Sequence, residues 1–216
     1  LDDRSRSGVK SVFDLLEGRS TLITGLLPGW SESSQFTPDE RALIVSTGPH
    51  SVCALDAATG AVLVNLDCGT GLLRSVVVDA ACERIAGYHF DDERAARQVI
   101  LWEFGTGNER GRFDMPSFNQ EFSPRLTALD PAQAKPEEGP MGCVLGFLDG
   151  GRYLVCADED LFLLDLQTGR RGRAIRQCMS RSAAYAPGPG LAVVVESSDP
   201  YPIAVWDVRT RTRLCG

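Results

Sequence analysis

Few side chains in this sequence could do chemistry, and their spacing argues against most of it. Two histidines, His50 and His89, cannot supply a metal cluster, and no Gly-x-Ser-x-Gly nucleophile elbow is present. His50 follows Gly48-Pro49 and reads as a solvated loop residue. His89 ends an apolar run beside Asp91 and Asp92, where a catalytic dyad is the alternative to a plain strand-end histidine. Gly105-Thr106-Gly107-Asn108-Glu109-Arg110-Gly111 looks superficially like a phosphate loop, but no Lys-Ser/Thr follows it and no helix pattern succeeds it. It reads as a hairpin turn. Asp91-Asp92-Glu93 and Asp158-Glu159-Asp160 lack the spacing of a calcium loop and read as solvated turn acids. The expectation is a protein with no catalytic, cofactor or metal site, and hence not an enzyme.

The seven cysteines are an odd number, form no Cys-x-x-Cys pair and sit mostly in apolar stretches, as reduced core thiols do. With no Asn-x-Ser/Thr sequon and no secretory signal, this points to a cytoplasmic address. Leu1-Asp2-Asp3-Arg4 is not a targeting sequence, and the chain reads as a piece of something longer. At 216 residues, 43% hydrophobic and 24% charged, it can bury a sizeable core. No apolar run approaches the roughly 18 residues of a membrane span. A net charge of -7 disfavours nucleic acid as a partner.

What must position the remaining polar groups is a set of short apolar runs bounded by Gly, Pro, Asp and Ser, which predicts an all-β chain. These runs repeat. Phe13-Asp14-x-x-x-Gly18, Leu55-Asp56-x-x-x-Gly60, Trp102-Glu103-x-x-x-Gly107, Leu164-Asp165-x-x-x-Gly169 and Trp206-Asp207-x-x-x-Arg211 share one pattern, with the acids 42, 47, 62 and 42 residues apart. That is the period of four-stranded propeller blades with one insertion. A second marker precedes the last four acids: Phe36-Thr37-Pro38-Asp39, Val78-Asp79-Ala80-Ala81, Phe147-Leu148-Asp149-Gly150 and Tyr185-Ala186-Pro187-Gly188. These predict the turns between first and second strands. The Thr-Gly pairs at 59–60, 106–107 and 168–169 supply the positive φ of tight turns, and the preceding acid can accept hydrogen bonds from the turn amides.

The predicted organisation is the last two strands of a preceding blade over 1–29, then blades over 30–71, 72–115, 116–177 and 178–216. The long third repeat holds a Pro-rich stretch over about 116–140, read as an inserted surface loop; an abortive repeat opening at Phe122-Ser123-Pro124 is the alternative.

At these residues the chain resembles the WD-repeat β-propeller family. Trp102-Glu103 and Trp206-Asp207-Val208 stand where that family has its Trp-Asp dipeptide, and Phe36-Thr37-Pro38-Asp39 is similar to its Phe-Ser-Pro-Asp turn. Neither histidine lies in a Gly-His dipeptide, so the His-to-Asp network of such blades is not expected and apolar packing must hold the repeats together. Four repeats fall short of the roughly seven that close a WD-repeat ring, which implies an arc of a larger propeller with an apolar terminal face. A competing resemblance is to the quinoprotein alcohol dehydrogenases, through Cys53-Ala54-Leu55-Asp56-Ala57-Ala58-Thr59-Gly60, although Val64 stands where their docking Trp would be.

The WD-repeat resemblance implies a non-catalytic scaffold for protein–protein interaction, one arm of a larger signalling or regulatory protein; the quinoprotein likeness would imply a propeller enzyme or cofactor binder. The expected partners are other proteins and further blades of the same chain, with neither nucleic acid nor membrane. The repeat places Trp30, Asp92, Glu159 and Tyr201 on the face carrying the second-to-third-strand loops. It places Arg110, Arg112, Arg170, Arg171, Arg173, Arg209, Arg211 and Arg213 around the third-to-fourth-strand turns of three successive blades, on the opposite face and outer edge. Of these, Arg171 and Arg211 are the candidate partner contacts. Twenty arginines against two lysines make a plain solvated surface the competing reading.

Overall fold

A computed structural model describes residues 10–14, 19–23, 34–91, 96–115, 142–158, 160–196 and 203–216. Strands β1 (Lys10–Asp14) and β2 (Arg19–Ile23) pair as an antiparallel hairpin. Blade 1 follows, with β3 (Ser34–Phe36), β4 (Ala42–Ser46), β5 (Ser51–Asp56) and β6 (Val62–Asp67) hydrogen-bonded in chain order. Blade 2 repeats that order with β7 (Leu72–Val78), β8 (Arg84–Asp91), β9 (Ala96–Glu103) and β10 (Glu109–Met115). Blade 3 comprises β11 (Cys143–Leu148), β12 (Tyr153–Ala157), β13 (Asp160–Asp165) and the two-residue β14 (Arg170–Arg171). Blade 4 comprises β15 (Arg176–Ala186), β16 (Leu191–Glu196), β17 (Ile203–Asp207) and β18 (Thr212–Cys215). The start of β15 also pairs with β13, at Leu161↔Arg176 and Asp160↔Gln177, so blades 3 and 4 share one continuous sheet.

Burial explains the sequence pattern. The middle strands β4, β5, β8 and β12 carry runs of buried residues because both of their faces are covered, whereas the outer strand β6 alternates toward solvent. Where blades face each other, the covering comes from the neighbouring blade. Ile44, Val52 and Ala54 of blade 1 pack with Ile85, Ile100 and Trp102 of blade 2. Val99 and Leu101 pack with Leu154 and Phe162 of blade 3, and Val155 and Leu161 pack with Ala192 and Val194 of blade 4. On the far side of blade 4, Val193 and Ile203 are 40% and 64% exposed, an apolar face without a neighbour among the described residues.

The two turn markers form as anticipated. Thr37, Asp79 and Asp149 begin the first-to-second-strand turns, where the Asp79 carboxylate accepts the Glu83 amide at 2.8 Å and the Arg84 amide at 3.1 Å. In the third-to-fourth-strand turns, Asp56 accepts the Ala58 and Thr59 amides and the Thr59 hydroxyl. Asp165 accepts Gln167 and Thr168, and Asp207 accepts Arg209 and Thr210. Glu103, one methylene longer, instead accepts the Thr106 hydroxyl at 2.5 Å. Gly60, Gly107 and Gly169 hold the left-handed position at φ 73°, 71° and 68°, and Arg211 occupies it at 59° in the last repeat.

These contacts act on acidity. The Thr59 hydroxyl and amide hold the Asp56 carboxyl below its ordinary range, the Thr106 hydroxyl and Arg110 do so for Glu103, and the Thr210 amide does so for Asp207. At Asp165 burial pushes upward, but the Thr168 and Gln167 amides outweigh it and the carboxyl is again lowered. A carboxyl lowered in the folded state adds stability that is present above its unfolded pKa and is lost as pH falls through its folded pKa. Melting temperature should therefore hold steady from neutrality to about pH 5 and fall as the pH drops below about 4. Asp56→Asn should flatten that fall; a melting temperature unchanged down to about pH 3 would contradict the turn contacts.

Candidate functional site

The first strands of the blades lie side by side along the inner edge of the arc: β7 contacts β11, and β11 contacts β15. Between them and their turns runs a groove of about 680 Å³, lined by Phe36, Val77, Phe147, Tyr185 and Pro187 from equivalent stretches of the four repeats. Phe36 is 48% exposed, a large apolar side chain presented at the mouth. Tyr185 reaches the Phe147 carbonyl at 3.5 Å.

Two arginines frame this groove and tie the blades together. Arg84 of blade 2 bonds Asp79 of its own turn at 2.9 Å and donates to the Gly151 and Gly150 carbonyls of blade 3 at 2.9 and 3.1 Å, with its guanidinium 5.4 Å from the Phe147 ring centroid. Arg209 of blade 4 approaches the Asp149 carboxylate at 3.3 Å and donates to the Pro189 carbonyl at 2.9 Å. The turn they converge on, Asp149-Gly150-Gly151, has three successive left-handed residues, at φ 52°, 62° and 82°. A planar guanidinium presents five donors in a rigid fork, so it can hold two carbonyls and a carboxylate at once in a fixed orientation, whereas a lysine is a point charge on a flexible stem. The groove has an apolar floor of strand residues and walls of ion-paired arginine and aspartate.

At the other end of the blades the structure differs from expectation. Asp158, read from sequence as a solvated turn acid, is 4% exposed. Its Oδ2 accepts Arg97 at 2.7 Å and stands 3.4 Å from the hydroxyl of Tyr88, a residue 1% exposed. Burial, followed by the nearby Asp158 charge, pushes the Tyr88 hydroxyl well above its ordinary pKa. The same two causes push the Cys143 thiol up to about 11. Asp91 is likewise buried, at 6% exposure. Acids beside apolar strand ends are pulled inward when a cation or hydroxyl from the next blade is within reach, and sequence spacing within one loop does not reveal that partner.

Both histidines serve the linker between blades 1 and 2. His50 Nδ1 donates to the Gly71 carbonyl and His89 Nε2 to the Thr70 carbonyl. The Cys68 amide bonds the His50 carbonyl at 2.9 Å, and the Leu73 amide bonds the Pro49 carbonyl at 2.7 Å. His50 is exposed, as the sequence suggested, but its ring is engaged.

Trp30, Asp92, Glu159 and Tyr201 lie outside the described residues, as does the Pro-rich stretch over 116–140. Arg171 bonds Asp160 at 2.9 Å and lies 4.0 Å from the Phe162 ring centroid, so it is committed within the chain. Arg110 pairs with Glu103, and Arg112 with Glu109. Arg211 is exposed. Among the described residues no group of three or more His, Cys, Asp or Glu side chains could hold a metal ion. No described helix is long and apolar enough to cross a membrane.

No known protein family matches the sequence, and no curated protein matches it. Solved structures do match the fold. The structure of U3-55K aligns with a TM-score of 0.57 at 12% identity, over 84% of this chain and 50% of that one. The computationally designed protein Ika8 aligns with a TM-score of 0.59 at 16% identity, over 96% of this chain and 55% of that one. The chain therefore spans about half the length of the solved structures it is similar to. It is an all-β, propeller-like segment of four-stranded antiparallel blades.

Proposed function

We propose that this chain is a non-catalytic, WD-repeat-like scaffold that mediates protein–protein interaction as one arm of a larger regulatory or signalling protein. The observation that carries this reading is the groove along the inner edge of the arc. Its apolar lining comes from equivalent positions of four repeats, so each repeat added to the fold extends one binding surface. Exposed Phe36, with half-buried Tyr185 in the same lining, offers aromatic area of the kind on which interfaces concentrate their binding energy, and the Arg84 and Arg209 clamps hold the walls in place before any partner arrives. The repeat pattern of the sequence offers Trp30, Asp92, Glu159 and Tyr201 as further candidate contacts, and a cytoplasmic location accords with the free thiols of Cys53, Cys68 and Cys156.

The test is selection of peptides from a displayed library against the full chain. Ligands should be enriched whose affinity drops on the order of tenfold in Phe36→Asp, with the strand signal in circular dichroism unchanged. A library that yields no ligand, or ligands indifferent to Phe36→Asp, overturns the groove as the scaffold's binding surface.

A further inference from the structure

The outer edge of blades 3 and 4 carries positive charge that the acids among the described residues leave partly unanswered. Most arginines around it are neutralised: Arg171 by Asp160, Arg152 by Asp165 at 3.6 Å, and Arg209 by Asp149. Arg170, Arg173 and Arg211 are exposed and have no acid partner among the described residues.

The backbone gathers these three. β14 stops at Arg171, and the chain bulges over 172–175 before β15 begins. Both ends of the bulge are anchored to β13, by the Gly172 amide on the Leu163 carbonyl at 2.7 Å and the Ile175 amide on the Leu161 carbonyl at 2.7 Å. Arg173 is thereby pushed out from the sheet. Arg211 leans across from blade 4: its Nη2 lies 3.7 Å from where a Cβ on Gly172 would stand. The cluster thus spans the seam between two blades. Arg211 also keeps a side chain in the left-handed position that three other repeats give to glycine, a conformation that costs any residue bearing a Cβ.

We propose that this seam captures a short acidic segment of a partner protein, its carboxylates taken by the guanidinium groups of Arg170, Arg173 and Arg211. Each can receive a carboxylate through two parallel N–H···O bonds. A short peptide fits better than a nucleic acid. Among the described residues the patch holds three cations without an acid partner, and Asp149, Asp160, Asp165 and Asp207 lie in the adjoining turns and strands of a chain with net charge -7. A long polyanion would run off the patch into like charge, whereas a few clustered carboxylates would not. This inference rests on the scaffold reading and adds a contact region separate from the groove.

The test measures binding of a fluorescein-labelled Glu/Asp-rich peptide to the full chain by fluorescence anisotropy, beside a labelled single-stranded oligonucleotide of equal charge. The peptide should bind and weaken as salt is raised. The triple variant Arg170→Glu, Arg173→Glu, Arg211→Glu should lose on the order of tenfold or more in affinity. Arg110→Glu, on the already paired edge of blade 2, should bind as the parent does. The neutral triple variant, each arginine changed to Gln, should fall between the two, which separates lost charge from lost fold. Failure of the peptide to bind, equal binding by the parent and the Glu variant, or tighter binding of the oligonucleotide would each overturn the proposal. Ligands selected for the groove would still bind in any of those cases, so the scaffold reading stands or falls separately.

Discussion

Asp158→Ala should destabilise the protein by about 3–5 kcal/mol, the cost of leaving a buried guanidinium without its counter-charge. The side chains of Arg97 and Asp158 are 11% and 5% exposed, so water cannot replace the missing carboxylate as it would on a surface. Because Arg97 sits in β9 of blade 2 and Asp158 follows β12 of blade 3, the loss should be concentrated in the packing between those two blades. Urea unfolding followed by circular dichroism measures it. The double variant Arg97→Met, Asp158→Leu should recover most of the loss, since well-packed apolar groups can replace a buried pair at little cost. A loss below about 1 kcal/mol for Asp158→Ala would mean that the pair is solvated and contributes as surface pairs do.

Trp102→Ala should be comparably severe, at about 3–5 kcal/mol, and Trp206→Ala clearly milder, although both residues stand in the same place in their repeats. Trp102 is 1% exposed against blade 1, and a Cβ on Gly87 would come within 2.9 Å of its ring. Truncation there opens a cavity that four strands on each side cannot easily close. Trp206 packs on the blade 3 cluster but is only partly buried. Its removal forfeits less area, and the remaining gap reaches solvent. Denaturant titration of both variants gives the comparison; equal losses would show that Trp206 is as fully enclosed as Trp102.

The two tryptophans also show what could be read from the sequence. The strand-turn-strand skeleton was legible because its signals are short in range: an acid and a glycine four residues apart fold one hairpin by local hydrogen bonds, as at Asp56 and Gly60. The order of strands within a blade followed from the same local signals. Contacts between blades were not legible. Asp158 looks like any solvated turn acid until Arg97 and Tyr88, 61 and 70 residues earlier, are brought beside it by stacking of the sheets. Likewise Arg171 looked free for a partner because its acid, Asp160, lies across a hairpin and its aromatic neighbour, Phe162, faces the same way only once the strands pair. Arg211 was visible as a candidate because arginines flank the third-to-fourth-strand turn after Asp207; its left-handed backbone, in the place where three other repeats have glycine, shows only in the structure.

β15 is a single uninterrupted strand whose first residues pair with the third strand of blade 3 and whose last residues form the first strand of blade 4. No peptide bond marks a border between these two repeats. A recombination event that removed one of them would take an edge strand from its neighbour or leave that neighbour without its innermost strand. A cut placed anywhere within β15 therefore shortens the sheet of blade 3 or of blade 4, whereas blade 2 shares no strand with its neighbours.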